Sequence, residues 1–200
     1  MPAAKVVLAS SSRSRARLLS AAGVVFEAVP PVVDEDAVKS ALRADKADAL
    51  NCAETLAELK AVKVSRARPE ALVIGADQML ECEGEWFDKP ASLAEAATHL
   101  RRLSGKVHAL PTAAVVAQGG RPIWHHISVP RLMVRPLSEA FITAYLDQTG
   151  ESALTSVGAY QLEGLGAQMF ASVEGDFFTI LGLPLLPLLA FLRARGAVLP

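Results

Sequence analysis

The segment from Leu72 to Pro90, LVIGADQMLECEGEWFDKP, constrains the fold more than any other part of this 200-residue chain. It begins with three consecutive apolar residues, Leu72–Ile74, which is typical of a strand buried on both faces. Asp77 follows where that strand should end, and in an α/β protein ligands usually bind at the ends of such strands. A carboxylate there is costly unless it is exposed, hydrogen-bonded or bound to a metal. The segment therefore predicts an α/β fold with an acidic residue at a ligand site.

An acidic, glycine-containing turn separates this strand from Asp88, Lys89 and Pro90. The simplest geometry is a hairpin that brings Lys89 back toward Asp77. An acid beside an amine at the end of a strand suits a site that holds a metal and an anionic substrate together. A structural ion pair beside a turn would give the same sequence pattern, so this segment alone leaves both interpretations open.

Composition limits the class of protein to which the chain can belong. Apolar residues make up 52% of it, which predicts a substantial core rather than disorder. The formal net charge of −1 argues against broad binding to nucleic acid or to a membrane surface, because both usually need an excess of basic residues. Cys52 and Cys82 do not have metal-ligand spacing and two thiols make no disulfide framework, so a reduced, cytoplasmic protein is expected. A length of 200 residues predicts a single domain.

Local patterns predict strands and helices that alternate without a strict βαβ rhythm, which favours a mixed sheet over a purely parallel one. An apolar triplet predicts a strand at residues 6–8, and Gly23 predicts the end of a helix that begins near residue 13. Residues 37–67 contain no Gly or Pro and predict one or two helices, with Asn51 as a break.

Further elements are predicted in the second half of the chain. Ser92 and Ser138 predict the N-caps of two helices. Residues 107–117 and 123–134 predict two antiparallel strands around a Gly-Gly turn. Residues 177–192 predict a buried strand followed by a helix that starts at a proline.

A loop of small hydroxyl residues lies between the first predicted strand and helix, and it includes Ser10, Ser12, Ser14 and Arg15. Backbone N–H groups at a helix N-terminus attract anions, and an arginine in the first turn can bind phosphate oxygens through two hydrogen bonds. The loop lacks the glycines of a Walker A or dinucleotide-binding motif. It is compatible with an anion site, and a serine-capped helix with solvated arginines would have the same pattern.

Two further sets of charged residues are candidates for the same site. Asp34, Glu35 and Asp36 follow an extended segment, and three adjacent carboxylates suit a hard divalent cation such as Mg²⁺. An acidic loop that caps the next helix would also explain them. Lys60 lies in an apolar-rich helix and Lys89 precedes a proline, and both are compatible with phosphate binding or with solvated lysines.

The segment Gly158–Phe170, GAYQLEGLGAQMF, contains closely spaced glycines, which let a backbone pass near a ligand. Tyr160 offers a flat face for a nucleotide base, and Gln161 and Glu163 can bind its polar edge. A glycine-rich turn packed against the core is the alternative. The histidines form no metal-ligand pair, so they are expected at the surface or satisfied in the core.

Nearly the whole chain resembles one known family, motif by motif and in the same order. The matching motifs are LASSSRSRARLL, Asp34-Glu35, Glu58-Leu59-Lys60-Ala61, IGADQ, Asp88-Lys89-Pro90, Leu103-Ser104-Gly105, VGAYQLEGLGA and EGDFFTILGLPL. Each motif alone would be weak, but their succession is specific. On these motifs the chain resembles the Maf family of nucleoside triphosphate pyrophosphatases.

The resemblance implies an α/β fold of the Maf/ITPase kind, with an elongated, twisted mixed sheet flanked by helices and a cleft between two lobes. It implies that residues 1–200 form a single domain that hydrolyses a nucleoside triphosphate to the monophosphate and pyrophosphate. Members need a divalent metal cation, Mg²⁺ or Mn²⁺, and work in the cytoplasm, where they remove non-standard nucleotides. They are also linked to septum formation and to arrest of cell division, and homodimers are common among them.

The resemblance also implies roles for particular residues. Asp77 would be the catalytic acid, acting as general base or through a metal-bound water, and Glu35 would help it to hold the metal. The residues that would bind the triphosphate are Ser10, Ser12, Arg15, Lys60 and Lys89.

Base preference is expected to depend on Ser14, Gln78 and Glu163, where members of the family differ. Members of the dTTP/UTP type resemble SPRR, GADT and IQG at these places, whereas this chain has SRSR, GADQ and LEG. Members that act on 7-methyl-GTP carry Gln and Glu at the last two positions, but a tryptophan where Ser14 stands. This chain therefore matches neither class fully, and the resemblance implies a nucleoside triphosphate pyrophosphatase of unassigned base preference. The alternatives are a 7-methyl-GTP pyrophosphatase and a nucleotide-binding regulator of division with little catalysis.

Overall fold

The computed structural model describes residues 4–200, which form two compact units. The first unit runs to Gln78 and also takes in Thr112–Ser128 and Asp176–Pro200, and the second takes in Met79–Pro111 and Val129–Gly175. Both contain strands and helices, so the predicted α/β class is confirmed. Within the described residues, no helix has both the length and the apolar character needed to span a membrane.

The strands, in chain order, are β1 (Val6–Leu8), β2 (Glu27–Ala28), β3 (Leu72–Gln78), β4 (Leu80–Cys82), β5 (Glu85–Phe87), β6 (Val107–Ala109), β7 (Thr112–Gln118), β8 (Arg121–Ser128), β9 (Arg131–Val134) and β10 (Phe170–Glu174). The α-helices are α1 (Arg13–Ala21), α2 (Glu35–Ala44), α3 (Ala49–Ala67), α4 (Leu93–Leu103), α5 (Glu139–Thr149), α6 (Phe177–Ile180) and α7 (Leu185–Ala194). Short 3₁₀ helices lie at Gly150–Thr155, Val157–Ala159 and Leu165–Met169.

The first unit is built on a mixed sheet in the order β2-β1-β3-β7-β8. Strand β1 is parallel to β2 and β3, whereas β3 is antiparallel to β7 and β7 is antiparallel to β8. Leu8 and Ile74 pack with apolar residues of α1 and α7, and Val7 and Val73 pack with Val64 of α3. Both sets of alternate residues in the central strands therefore pack against helices, which explains why these strands are apolar without alternation. The mixed sheet predicted from the sequence is confirmed.

The second unit contains an antiparallel sheet in the order β10-β9-β6-β4-β5. The hairpin predicted after Asp77 is present, with Glu81 of β4 opposite Trp86 of β5. Ser92 and Ser138 accept hydrogen bonds from backbone N–H groups three residues ahead, so they cap α4 and α5 as predicted.

The two long strands predicted at residues 107–117 and 123–134 are each divided into two shorter strands. The first becomes β6 and β7, separated at Leu110-Pro111, and the second becomes β8 and β9, separated at Val129-Pro130. Proline has no N–H to donate to a ladder, which favours a break at both places. The chain passes from one unit to the other at each break.

Two other predictions of secondary structure were wrong in detail. The helical region divides before Asp48, which caps α3 by accepting from Asn51 N, so Asn51 lies in the first turn of a helix rather than at a break. The expected strand at Phe177 is a short helix, because Asp176 caps it by accepting from the backbone N–H of Thr179. The proline-started helix that follows is confirmed as α7, with Pro184 at its N-cap.

Tyr160 and His108 form a buried pair in the second unit. The distance between His108 Nε2 and the Tyr160 hydroxyl is 2.6 Å, and no group among the described residues hydrogen-bonds to His108 Nδ1. The Tyr160 ring packs edge-on against Phe170 with ring centroids 4.8 Å apart. The interpretation of Tyr160 as a stacking face for a base was therefore wrong, because the ring is part of the core of this unit. Burial lowers the pKa of His108 to about 4.

We expect His108 to make the free energy of unfolding depend on pH. Because the pKa of His108 is lowered from 6.5 to about 4 on folding, neutral His108 contributes stability above pH 6.5 that is lost as the pH falls toward 4. The difference corresponds to at most about 3 kcal/mol. Urea unfolding of the wild type and of His108→Gln at several pH values measures it, with His125→Gln, which alters an exposed histidine, as the control. Equal pH dependence in wild type and His108→Gln would contradict the assignment.

Candidate functional site

Lys60 joins two acidic side chains in the first unit. Its Nζ lies 2.6 Å from Asp77 Oδ1 and 2.8 Å from Glu35 Oε1. Lys60 and Asp77 are only 4% and 6% exposed, whereas the Glu35 side chain is 43% exposed. A buried ion pair with a partly exposed second carboxylate thus lies where helix α3, strand β3 and helix α2 meet.

The position of Glu35 follows from how helix α2 begins. Asp34 is the N-cap, and its Oδ1 accepts from Ala37 N at 3.0 Å. Glu35 is then the first residue of the helix, where negative charge is favoured by the helix dipole. The capping interpretation of the acidic run therefore applies to Asp34, whereas Glu35 binds Lys60 and its role in holding a metal stays a prediction.

Arg15 belongs to the same charge cluster. Its Nη1 donates to Ser10 Oγ at 3.3 Å, and Ser10 Oγ also accepts from Ser12 N at 3.1 Å. Ser12 is the N-cap of α1 and accepts from Arg15 N. Burial lowers the pKa of Arg15, and the opposing effect of Asp77 and Glu35 comes from their negative charges acting on the guanidinium. The loop after β1 therefore places a network of hydroxyl groups and a cation near the carboxylates of Asp77, at the end of β3, and Glu35, at the start of α2.

Ser14 and Gln78, predicted to influence base preference, bind the same short segment of backbone. Ser14 Oγ donates to Leu181 O at 3.0 Å, and Gln78 Nε2 donates to Thr179 O at 2.9 Å. Gln78 Nε2 also lies 2.9 Å from Thr112 Oγ1, which accepts from it. Sequence reasoning assigned no role to Thr112 or to the carbonyls of this segment, because backbone acceptors leave no trace in residue type. The roles of Ser14 and Gln78 in base choice stay predictions.

The predicted site residues are divided between the two units. Lys89 follows β5 and Glu163 lies between two 3₁₀ helices, so both belong to the second unit. The others belong to the first unit: Ser10, Ser12, Ser14, Arg15, Glu35, Lys60, Asp77 and Gln78.

Comparison with known proteins identifies the family of the chain. A family model described as "Maf-like protein" matches residues 5–195. The chain belongs to the Maf-like family. A nucleoside triphosphate pyrophosphatase of Paramagnetospirillum magneticum is 55% identical over 194 residues, which cover 97% of this chain and 100% of the relative. One of Hyphomonas neptunium is 55% identical over 195 residues, or 98% of each chain. A 7-methyl-GTP pyrophosphatase of Rhizobium meliloti is 49% identical over 193 residues, or 96% of this chain and 97% of the relative.

Two acidic residues of this Maf-like chain contact the same ammonium group. Among residues 4–200, no group of three or more His, Cys, Asp or Glu side chains is arranged for a metal. Glu35 and Asp77 nevertheless converge on one point, now held by the Lys60 ammonium. Mg²⁺ is usually bound by one or two carboxylates together with water and substrate phosphates. Two carboxylates of this kind are the donor set that such an ion would need.

Lys60 also controls the ionisation of Glu35. Burial alone would raise the pKa of Glu35, but the charge of Lys60 and its hydrogen bond lower it, with smaller contributions from Lys39 and Arg15. The pKa of Glu35 therefore lies below its ordinary value. The contribution of ionised Glu35 to the free energy of unfolding is fully present above the pKa that Glu35 has in the unfolded chain. It is lost as the pH falls through the pKa of Glu35 in the folded protein.

We expect Lys60→Met to raise the pKa of Glu35, because burial would then act without the neighbouring ammonium. An NMR titration of the Glu35 carboxyl carbon measures the change. Lys106→Met is the matched control, since Lys106 pairs with an exposed carboxylate, Glu83, in the second unit. A Glu35 titration that is the same in wild type and in Lys60→Met would show that the ion pair does not form in solution.

Proposed function

We propose that this chain hydrolyses nucleoside triphosphates to the monophosphate and pyrophosphate. The observation that carries the proposal is the Lys60 ammonium within 2.8 Å of both Glu35 and Asp77, with Arg15 in the same charge cluster. Acidic and cationic groups close together are what transfer of a phosphoryl group requires, since catalysis is mostly positioning and charge stabilisation. Membership of the Maf-like family and the names of the relatives support this choice.

In the proposed reaction, a water molecule attacks the α-phosphorus and the bond from that phosphorus to the bridging oxygen of the leaving pyrophosphate breaks. Asp77 accepts a proton from the attacking water, and Lys60 fixes the orientation of its carboxylate through Oδ1. Glu35 and Asp77 would hold Mg²⁺ or Mn²⁺, which supplies charge stabilisation on the phosphoryl oxygens. The products are the nucleoside monophosphate and pyrophosphate, and the water supplies the oxygen gained by the monophosphate.

Cations and hydroxyls of the chain would bind the triphosphate. Arg15 offers a planar set of N–H donors that matches phosphate oxygens, and Ser10 and Ser12 place hydroxyls beside it at the start of α1. Lys89 is a further cation that we assign to triphosphate binding, on its Asp88-Lys89-Pro90 motif. We place the reaction in the cytoplasm, because a chain with only two cysteines has no disulfide framework, as expected in a reducing compartment.

Release of pyrophosphate from a panel of substrates tests the proposal. The panel contains the common ribo- and deoxyribonucleoside triphosphates and 7-methyl-GTP, each with Mg²⁺ or Mn²⁺ and with EDTA. We expect metal-dependent release of pyrophosphate and monophosphate in equal amounts. Release of inorganic phosphate and a diphosphate would identify a different reaction, and binding of nucleotide and metal without turnover would favour a regulator.

A 7-methyl-GTP pyrophosphatase is the second candidate. It is favoured by the 49% identity to the Rhizobium meliloti relative of that name and by Gln78 and Glu163, which match the residues expected in such members. Ser14 argues against a 7-methyl-GTP pyrophosphatase, because a serine has no aromatic face to stack on a methylated purine. A strong preference for 7-methyl-GTP in the panel would replace the broader assignment with this one.

We expect Lys89→Ala to weaken binding of a triphosphate far more than binding of the corresponding monophosphate. A cation that contacts the outer phosphates contributes little to a ligand that lacks them. Calorimetric titration with a non-hydrolysable triphosphate and with the monophosphate measures both affinities. Lys46→Ala, an exposed lysine of the first unit, is the control. Equal losses for the two ligands would mean that Lys89 is not a phosphate ligand.

A further inference from the structure

A short run of backbone carbonyls, Thr179–Gly182, is held by side chains of the candidate site. These side chains are Ser14 and Arg15 at the start of α1 and Gln78 next to Asp77, all in the first unit. Each of the four successive carbonyl oxygens accepts a bond from one of these side chains: Thr179 O from Gln78 Nε2 at 2.9 Å, Ile180 O from Gln78 Nε2 at 3.3 Å, Leu181 O from Ser14 Oγ at 3.0 Å and Gly182 O from Arg15 Nε at 2.8 Å. Thr179 O also accepts from the backbone N–H of Gly182 at 2.9 Å.

These carbonyls lie in the last residues of α6 and just after it, where backbone carbonyls can accept bonds from side chains. The last carbonyls of any helix have no partner within it, and α6 is only four residues long. Gly182 has φ +103°, a conformation that other residues rarely adopt, and a Cβ there would lie 3.5 Å from Arg15 Nε. The backbone is therefore turned so that Gly182 O accepts from Arg15 while the chain leaves the helix.

Asp176 stabilises this turn from its other end. Its Oδ2 accepts from Thr179 N and from Thr179 Oγ1, both at 2.7 Å. Thr179 is 1% exposed, so this capping arrangement is anchored in the core. Without it, α6 would lose its only described side-chain cap, and the carbonyls that hold Arg15 and Gln78 would no longer be fixed.

Arg15 depends on these contacts for its orientation. Two bonds hold its guanidinium, one from Nε to Gly182 O and one from Nη1 to Ser10 Oγ. Together they fix the plane of the guanidinium, and an arginine binds phosphate best when its planar donors are already oriented. Loss of the bond to Gly182 would leave the side chain held only at one end.

We propose that Asp176 is a positioning residue for Arg15, acting through the turn from Thr179 to Gly182. This inference rests on the proposed function, in which Arg15 binds the triphosphate. Asp176 contacts no substrate in this scheme, and its effect reaches the site through the carbonyl of Gly182. The turn after α6, which contains Gly182, thus serves to orient the phosphate-binding cation.

Asp176→Ala tests the proposal in hydrolysis. We expect kcat/KM for the best triphosphate to fall on the order of tenfold to a hundredfold, since a small displacement of a binding group has effects of this size. Asp176→Asn should recover most of the activity, because both bonds go to one oxygen that the amide oxygen can replace. Ser138→Ala removes the N-cap of α5 in the second unit and is the matched control, which should lower the melting temperature without lowering kcat/KM.

A double-mutant cycle separates positioning from a general loss of structure. If Asp176 acts through Arg15, the variant with both Asp176→Ala and Arg15→Ala should have the kcat/KM of Arg15→Ala alone. Losses that multiply would overturn the proposal. If Asp176→Ala does not fold, Thr179→Val removes one of the two bonds to Asp176 and should show the same dependence on Arg15, with a smaller loss.

A readout without substrate distinguishes failure of this inference from failure of the proposed function. In NMR spectra, the Arg15 Nε–H should exchange slowly with water in the wild type, because it donates to Gly182 O. Exchange should accelerate at least severalfold in Asp176→Ala and return toward the wild-type rate in Asp176→Asn. Unchanged exchange would overturn the positioning role whatever the activity. Accelerated exchange in a protein that hydrolyses no nucleotide would reject the proposed function and leave the link from Asp176 to Arg15 intact.

Discussion

Replacement of Asp77 by Asn should lower kcat for pyrophosphate release on the order of a thousandfold, which is the size expected when a general base is lost. The amide cannot accept the proton of the attacking water, and it is a weaker ligand for Mg²⁺ than a carboxylate. Its oxygen can still accept the hydrogen bond from Lys60 Nζ, which lies 2.6 Å from Asp77 Oδ1. The change therefore removes the chemistry of the group with little change in its shape.

Measurements of folding must accompany this result. Removing one partner of a buried ion pair often costs several kcal/mol, but here Lys60 keeps Glu35 as a second partner, so the protein should stay folded. Single-turnover kinetics with saturating metal and the melting temperature of the variant measure the two effects separately. Asp147→Asn, at an exposed position of α5, is the control and should change neither. Hydrolysis that survives in Asp77→Asn would reject Asp77 as the catalytic residue.

Replacement of Gly75 by Ala should destabilise the protein by about 3 kcal/mol or more, at or above the upper end of what overpacking usually produces. A Cβ at Gly75 would lie 2.3 Å from Ala57 O and 2.6 Å from Ala61 N of helix α3. Both are backbone atoms, so no rotation of a side chain can relieve the overlap, and α3 must move away from β3. Lys60 precedes Ala61 on that helix, so the same movement should break its contact with Asp77 and abolish hydrolysis.

Gly84→Ala is the informative comparison for this prediction. Gly84 has φ +83° in the hairpin turn, but nothing lies within 4 Å of the Cβ that would be added. Strain in that left-handed conformation should cost only about 1 to 2 kcal/mol. Urea unfolding of both variants should therefore place Gly75→Ala well below Gly84→Ala in stability. The reverse order would show that helix α3 is not packed as closely on strand β3 as described.

The elements that sequence patterns predicted well are those that depend on near neighbours. Ser92 and Ser138 cap helices through bonds that span three residues, and Gly23 follows the end of α1 as expected. Such interactions form wherever the local sequence occurs, so a pattern is enough to predict them. The predictions failed where a residue at the boundary decided the outcome, as when Asp176 capped a short helix at Phe177 in place of a strand.

The candidate site depended much less on near neighbours. Lys60 lies 17 residues from Asp77 along the chain, and Arg15 lies 167 residues from Gly182. No spacing rule relates residues so far apart. The resemblance to the Maf family supplied Ser10, Arg15, Glu35, Lys60 and Asp77 as candidates without saying how they meet, and their roles stay predictions.

By itself, the sequence determined the α/β class, most helix ends and the family, because these depend on local patterns and on motifs in a fixed order. Only the tertiary structure decided that Lys60 contacts both Glu35 and Asp77, that Tyr160 is buried and that the end of α6 holds Arg15. The physical reason is that such contacts require close packing of distant segments, as at Gly75, where the absence of a side chain lets α3 approach β3.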